Sequence, residues 1–284
     1  MKADARFQAL PKSFWAYVRT LSEWVGYTHR GTDRIKVPSS EEMSACLLAL
    51  ALAPETVSSV DGQLTELGEQ LHSYFSQRAE VLNTEVEPAL MRAPEAAALF
   101  GRLRKELKST QRVTMNKQKG KKKKPAYLTG IVGMLIDTHR GSWPCDFDPR
   151  TLTAFTKNNL PVRTLSRRVD GAFPTTINPV AIWEIKEYYH TTTFGSRVAD
   201  GVYETQLDGM ELEEMRLNEG VKVKHYLFLD AHYTWWKCGR SYLCRIYDMV
   251  NMGLVDEVIV GKEIVVRLPQ LVAEWVAAAE RRQR

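Results

Sequence analysis

The amino-acid sequence predicts an α/β fold in which a mixed central sheet is flanked by helices and preceded by an N-terminal helical region. Three observations predict it. Apolar residues recur at helical spacing through the first hundred residues. From about residue 160 onward, strand-like and helix-like stretches alternate, the order that builds a sheet with helices on its faces. The chain of 284 residues, 44% hydrophobic and 26% charged, also carries enough apolar side chain for a sizeable core. The pattern divides the chain into a helical region over 1–101, a basic segment over 102–124 and an α/β core over 125–284.

In the helical region, Phe14, Tyr17, Val18, Leu21, Trp24 and Val25 step by three and four along one face. Pro11 and Ser13 stand at its start and Gly26 follows its last apolar residue. Ser39 with Glu42 forms a capping-box signature for a second helix, which stops before Pro54. Leu64, Leu67, Leu71, Tyr74 and Phe75 mark a third, and a fourth spans about 94–108. The polar stretch Tyr27–Lys36 carries Arg30, Arg34 and Lys36. It reads either as a set of donors for phosphates and base edges or as an ordinary surface loop.

The net charge of +5 is unevenly spread. Residues 102–124 hold eleven Lys or Arg, Lys121, Lys122, Lys123 and Lys124 among them, against the single acid Glu106. That segment carries +10 and the remainder −5. A basic element on a mildly acidic body points to a polyanion partner such as nucleic acid, with a solvated loop as the alternative. Lys117–Lys124 has few apolar residues and is expected to be flexible in isolation. No run approaches the ~18–20 apolar residues of a membrane span, and no signal peptide stands before the core. Four cysteines are too few for a disulfide scaffold, so a cytoplasmic setting is expected.

In the α/β core, Leu128–Ile136 reads as a buried helix and Trp143–Pro149 as a loop. Arg163–Phe173 reads as a strand, Pro174–Pro179 as a turn and Ala181–Tyr189 as a second strand. Ser196 to about Asn218 is a helix, Val223–Leu229 an apolar strand, and Ser241–Met252 a helix that Gly253 ends. Val255–Val260 and Ile264–Arg267 follow as short strands, and Pro269 opens a terminal helix carrying Leu271, Val272, Trp275 and Val276.

Asp170, Glu184 and Lys186 are the most informative residues. Side chains alternate along a strand, so Glu184 and Lys186 share a face with Ile182, while Trp183 and Ile185 take the other. Charges within an apolar strand are costly to bury without partners. Asp170 lies near the end of the preceding strand, and the proline-containing turn folds it back beside Glu184. Two carboxylates then converge with an ammonium beside them. Mg²⁺ prefers such oxygen ligands, and a bound metal activates water for phosphodiester hydrolysis. The bland reading is a solvated strand face with a Glu–Lys pair.

Asp170, thirteen residues, then Glu184-Ile185-Lys186 resembles the PD-(D/E)xK nuclease motif, with Val169 in place of its proline. The following helix and the Tyr226–Leu229 strand are similar to the core order of that superfamily. The resemblance covers about residues 125–265. It implies a restriction endonuclease-like core and Mg²⁺-dependent cleavage of double-stranded DNA. Asp170, Glu184 and the Ile185 carbonyl would ligate metal, and Lys186 would handle the attacking water. Gln206, on a helix face with Val198, Val202 and Met210, reads as an accessory residue or a core glutamine. Asp137 is the nearest candidate for the additional acid this family often carries. A type II restriction enzyme is the foremost expectation, acting as a homodimer alongside a cognate DNA methyltransferase. Another nuclease of the superfamily, in repair or phage defence, and a non-catalytic DNA-binding protein are the alternatives. His232, Cys238 and Cys244 match no paired zinc-ligand spacing. The aromatics and cations of Tyr226–Arg245 read as DNA contacts or, for half of them, as core.

Overall fold

The computed structural model describes residues 1–29, 31–116, 119–120, 123–190 and 195–283. The chain begins with helices α1 (Ala5–Gln8), α2 (Lys12–Val25), α3 (Ser40–Ala49) and α4 (Glu66–Val81). Helix α4 runs on through a π turn, Leu82–Val86, into α5 (Glu87–Ala89). The helices α6 (Ala93–Glu106) and α7 (Tyr127–His139) complete this half. The predicted capping box forms at α3, where the Glu42 amide donates to Ser39 Oγ at 3.2 Å and the Ser39 amide to Glu42 Oε2 at 3.1 Å. Among the described residues no helix is long and apolar enough to cross a membrane.

Six strands follow among the described residues: β1 (Ala154–Lys157), β2 (Leu160–Thr164), β3 (Gly171–Phe173), β4 (Ala181–Glu187), β5 (Lys224–Asp230) and β6 (Glu257–Val260). The first two form a separate antiparallel ribbon, and the rest form one sheet in the order β3-β4-β5-β6. Strands β3 and β4 are antiparallel, whereas β4, β5 and β6 are parallel. The sheet is therefore mixed. Each parallel step crosses through a helix, α8 (Ser196–Glu219) and then α9 (Arg240–Asn251). Helix α10 (Ile264–Gln283) ends the chain.

One face of the sheet meets α7 and α10, with Trp183 of β4 stacked on Trp275 of α10 at a ring separation of 5.3 Å. The other meets α8 and α9, and the N-terminal helices join that same core through Phe14, Leu71 and Phe75. A buried ion pair ties the two halves. Arg78 of α4 reaches Asp248 of α9 at 3.2 Å, Tyr74 Oη donates to the same carboxylate, and Ser22 Oγ accepts from Arg78. Removing one partner of such a pair strands a buried charge.

Three element readings change. Arg163–Phe173 is two strands in different sheets, because the polar Ser166-Arg167 corner bonds to carboxylates on α8 instead of to a ladder. Ile264–Arg267 is the first turn of α10, and Pro269 lies inside that helix. Its β-branched run reads locally as strand, but Ile264, Leu268, Leu271, Val272 and Trp275 are buried at helical spacing, and that packing decides. Trp24 of α2 is 46% exposed, and Trp15 takes the core position instead.

Gly171 faces Trp183 across the β3–β4 pair, and a Cβ there would sit 2.0 Å from the indole. Gly171→Ala should cost about 1–3 kcal/mol by overpacking. Gly101, inside α6 with open space around it, should gain about 0.5–1 kcal/mol as alanine. Thermal denaturation of the two variants checks the pair, and equal shifts would contradict the packing described for Gly171.

Candidate active site

The antiparallel register pairs Gly171 with Trp183, so Asp170 lies one residue before β3 and beside Glu184. Asp170 thus opens its strand instead of ending it, and the turn after β3 brings Glu184 back to it as the sequence predicts. The Asp170 amide donates to Trp183 O at 3.1 Å and to Glu184 Oε1 at 3.2 Å. In return Asp170 Oδ2 accepts from the Ile185 amide at 2.8 Å. Lys186 Nζ lies 2.9 Å from Glu184 Oε2. Glu184 is fully buried and Lys186 nearly so. Helix α8 lies close over the pair at Gly201, where an added Cβ would stand 3.2 Å from Lys186 Cδ.

Three further residues complete the cluster. Arg167, on the loop between β2 and β3, meets Glu184 Oε1 at 2.9 Å, Asp208 Oδ2 at 2.6 Å and Glu204 Oε2 at 3.3 Å. Glu204 also accepts from Lys186 at 2.8 Å. One turn on, Glu211 takes the Ser166 hydroxyl at 2.7 Å and Arg163 at 3.3 Å, fastening the loop to α8. Glu204, Asp208 and Glu211 stand at i, i+4 and i+7, so they form one acidic stripe on a helix. That spacing is legible in the sequence. The role of Arg167 is not, because it depends on where the loop falls.

Four carboxylates, Asp170, Glu184, Glu204 and Asp208, face two cations. Burial pushes Glu184 up, but Lys186 and Arg167 outweigh it and hold its carboxyl below the usual range. Asp170 is pushed up to about 6 by burial and by Glu184. Asp208 is pushed up to about 7, since burial outweighs Arg167 and its Oδ1 is buried without a partner. Lys186 is held charged, Glu184 and Asp170 outweighing its burial. On the same strand Glu187 accepts from the Thr129 amide at 3.0 Å, and burial raises it to about 7. Negative charge at this centre is under-compensated.

The remaining candidates fall elsewhere. Asp137 pairs with Arg140 at 2.7 Å at the end of α7 and has no bond to the cluster. Gln206 and Met210 lie off the sheet-facing side of α8, which is Val198, Val202, Thr205, Asp208 and Leu212. Gln206 instead lines a cavity of about 640 Å³ with Trp24, Tyr27, Tyr203 and Arg245. In the Tyr27–Lys36 loop Arg34 is exposed, Lys36 pairs with Glu42, and Asp33 meets Arg240 at 2.8 Å. Arg30, Lys121 and Lys122 lie outside the described residues, as does Lys117. The basic segment has a paired base. The Ala126 amide donates to Thr114 O at 2.8 Å, and the Asn116 amide to Lys124 O at 2.9 Å. Lys123 and Lys124 lie on its returning side. Lys124 also reaches the charge field of His190, whose imidazole is held low by burial first and that lysine second.

Among the described residues no three His, Cys, Asp or Glu side chains gather around one ion position. Asp170 and Glu184 are the two carboxylates that meet directly at the Ile185 peptide. A family model described as Domain of unknown function (DUF7687) matches residues 91–275, the cluster included. A second, Domain of unknown function (DUF7690), matches residues 1–85. No curated protein and no solved structure matches the chain.

The raised carboxyls set a pH dependence of stability. Asp170, Asp208 and Glu187 titrate above their ordinary values in the fold. Their contribution is therefore fully present below about pH 4 and is lost as pH rises through 6 to 7. Glu184 works oppositely, below about pH 4.5. The melting temperature should fall by several degrees from pH 5 to pH 8, and by less in Asp208→Asn. A melting temperature that is level or rising over that window contradicts the burial argument.

Proposed function

The chain belongs to the DUF7687 family, and we propose that it is a Mg²⁺-dependent DNA endonuclease with a PD-(D/E)xK-type centre. One observation carries the reading: Asp170 and Glu184 stand side by side with Lys186 on Glu184. The spacing of the residues and the mixed sheet with a crossover helix both agree with the superfamily that the sequence resembles. The donors fit a hard divalent cation. They are carboxylates, the oxygen ligands that such an ion prefers, and the four acids outnumber the two cations.

Asp170, Glu184 and the Ile185 carbonyl would hold the metal, which when bound lowers the pKa of its water and offsets charge on the scissile phosphate. Both Glu184 oxygens are bonded by Arg167 and Lys186, so Glu184 must exchange a bond from Arg167 to serve as ligand. Arg167 is then free to face the phosphate, where its planar fork suits two oxygens. Lys186, held charged between Glu184 and Glu204, orients the attacking water and stabilises negative charge developing at phosphorus. The basic segment supplies phosphate contacts, which give affinity without sequence choice. A sequence-specific restriction enzyme, homodimeric and paired with a methyltransferase, is the class proposed first.

The full bonding of Glu184 favours one second reading, a DNA-binding protein with structural carboxylates. Incubation with supercoiled plasmid in Mg²⁺ separates them. Wild-type protein should cut and EDTA should stop it, while Asp170→Asn and Lys186→Ala should lose roughly 100-fold or more. Discrete fragments support restriction, and a smear supports a repair or defence nuclease. Plasmid bound but left intact across many sequences contradicts the enzyme reading.

A further inference from the structure

Strands β4 and β5 are parallel neighbours, so their C-terminal ends, Glu187 and Asp230, open on the same side. The crevice outside the carboxyl ends of parallel strands is where open α/β sheets hold ligands. Here it is a pocket of about 360 Å³ lined by Tyr188, Tyr189, Tyr233, His232, Arg92 and Lys237; no carboxylate lines it among the described residues, while Glu87 meets His232 Nε2 from outside at 3.2 Å. We propose that this pocket holds one unpaired nucleotide of a DNA strand, its base against the tyrosine rings and its phosphate on Arg92 and Lys237.

The pocket is built, not incidental. Asp230, fully buried, accepts from the Met91 amide at 2.7 Å, from the Ala231 amide at 2.8 Å and from Tyr189 Oη. Those bonds hold Ala231 at φ 119°, a conformation that a residue with a Cβ rarely adopts. Strain of this kind persists only where the surroundings impose it. Its effect is to turn the chain so that His232 and Tyr233 reach the pocket. Tyr233 is 66% exposed, whereas Trp235 and Trp236 beside it are buried. An aromatic ring left in water beside cations is what a stacking platform for bases requires. Lys237 also meets Asp33, so Arg92 is the less encumbered of the two cations.

The pocket lies on a path between the basic segment and the carboxylate cluster. Tyr127, just past the paired base of that segment, stands 6.0 Å from the Tyr189 ring. On the other side, Tyr188 shares the face of Lys186, and the Tyr188 hydroxyl and Lys186 Cδ both lie close to Gly201. A strand held by the lysines therefore passes the tyrosines on its way to Lys186. Paired bases offer edges but not faces, so a stacking pocket needs a base taken out of the duplex. This names the substrate as DNA with an unpaired nucleotide next to the bond to be cut, and in that respect it rests on the nuclease reading. The binding itself does not.

The test is fluorescence anisotropy of the full chain in EDTA, with a blunt duplex and the same duplex carrying a short central unpaired stretch. Wild-type protein should bind the interrupted duplex at least roughly 5-fold more tightly. Tyr233→Ala should remove that preference while leaving blunt-duplex affinity unchanged, and Tyr233→Trp should retain it. Equal affinity for the two duplexes, or an equal loss on both in Tyr233→Ala, overturns the proposal. A Tyr233-dependent preference in a protein that cuts nothing in Mg²⁺ supports the pocket and removes the nuclease reading. Cutting with no Tyr233-dependent preference does the reverse.

Discussion

The neutralisation of Glu184 is the constraint on which this face of the molecule depends. A carboxylate fully buried in the middle of a sheet is too costly to leave unpaired, and two cations come to it from different directions. Lys186 comes from the same strand, two residues on. Arg167 comes from a loop, and the loop must be held for the arginine to arrive. Glu211 does that holding, through Ser166 and Arg163. Glu204 and Asp208 then take the remaining donors of the two cations. The acidic stripe of α8 is thus the outer wall of a network whose centre is one strand residue.

The opposite face is ordinary packing, and it fixes where that centre stands. Trp183 and Ile185 alternate with Glu184 and Lys186, and Trp183 lies flat on Trp275. Any slip of register on β4 by one residue would put Glu184 against α10 and Trp183 into the carboxylates. The Trp183–Trp275 stack and the Gly171 contact make such a slip costly. The N-terminal helices add a second restraint, since Arg78 and Asp248 tie α4 to α9, which sits beside the crossover helix.

Much of this is legible in the chain. Period-2 alternation placed Glu184 and Lys186 on one face, and the turn before β4 placed Asp170 beside them, because both follow from local geometry. The capping box at Ser39 and the mixed α/β order are readable for the same reason. What local geometry does not contain is harder to read. Arg167 acts through a tertiary approach, and the helical phase that puts Gln206 with Val198 and Val202 drifts by its third turn, where Thr205, Asp208 and Leu212 take the buried side. Ile264–Arg267 has strand-forming residues, yet burial of its turn on the sheet makes it helix. In each case packing overrides a preference that spans only a few residues.

The charge split along the chain follows from the same electrostatics. A centre with four acids and two cations repels a polyanion, and the −5 of the chain outside 102–124 adds to that repulsion. The +10 segment cannot offset it by proximity alone, since salt screens exposed charges beyond about 8–10 Å. Its paired base at Thr114–Ala126 sets Lys123 and Lys124 directly before α7, whose Tyr127 ring stands 6.0 Å from the His190 ring just past β4. On the proposed nuclease reading, an acidic site and a basic arm are not opposing features of one surface but two parts of a single path for a phosphate backbone.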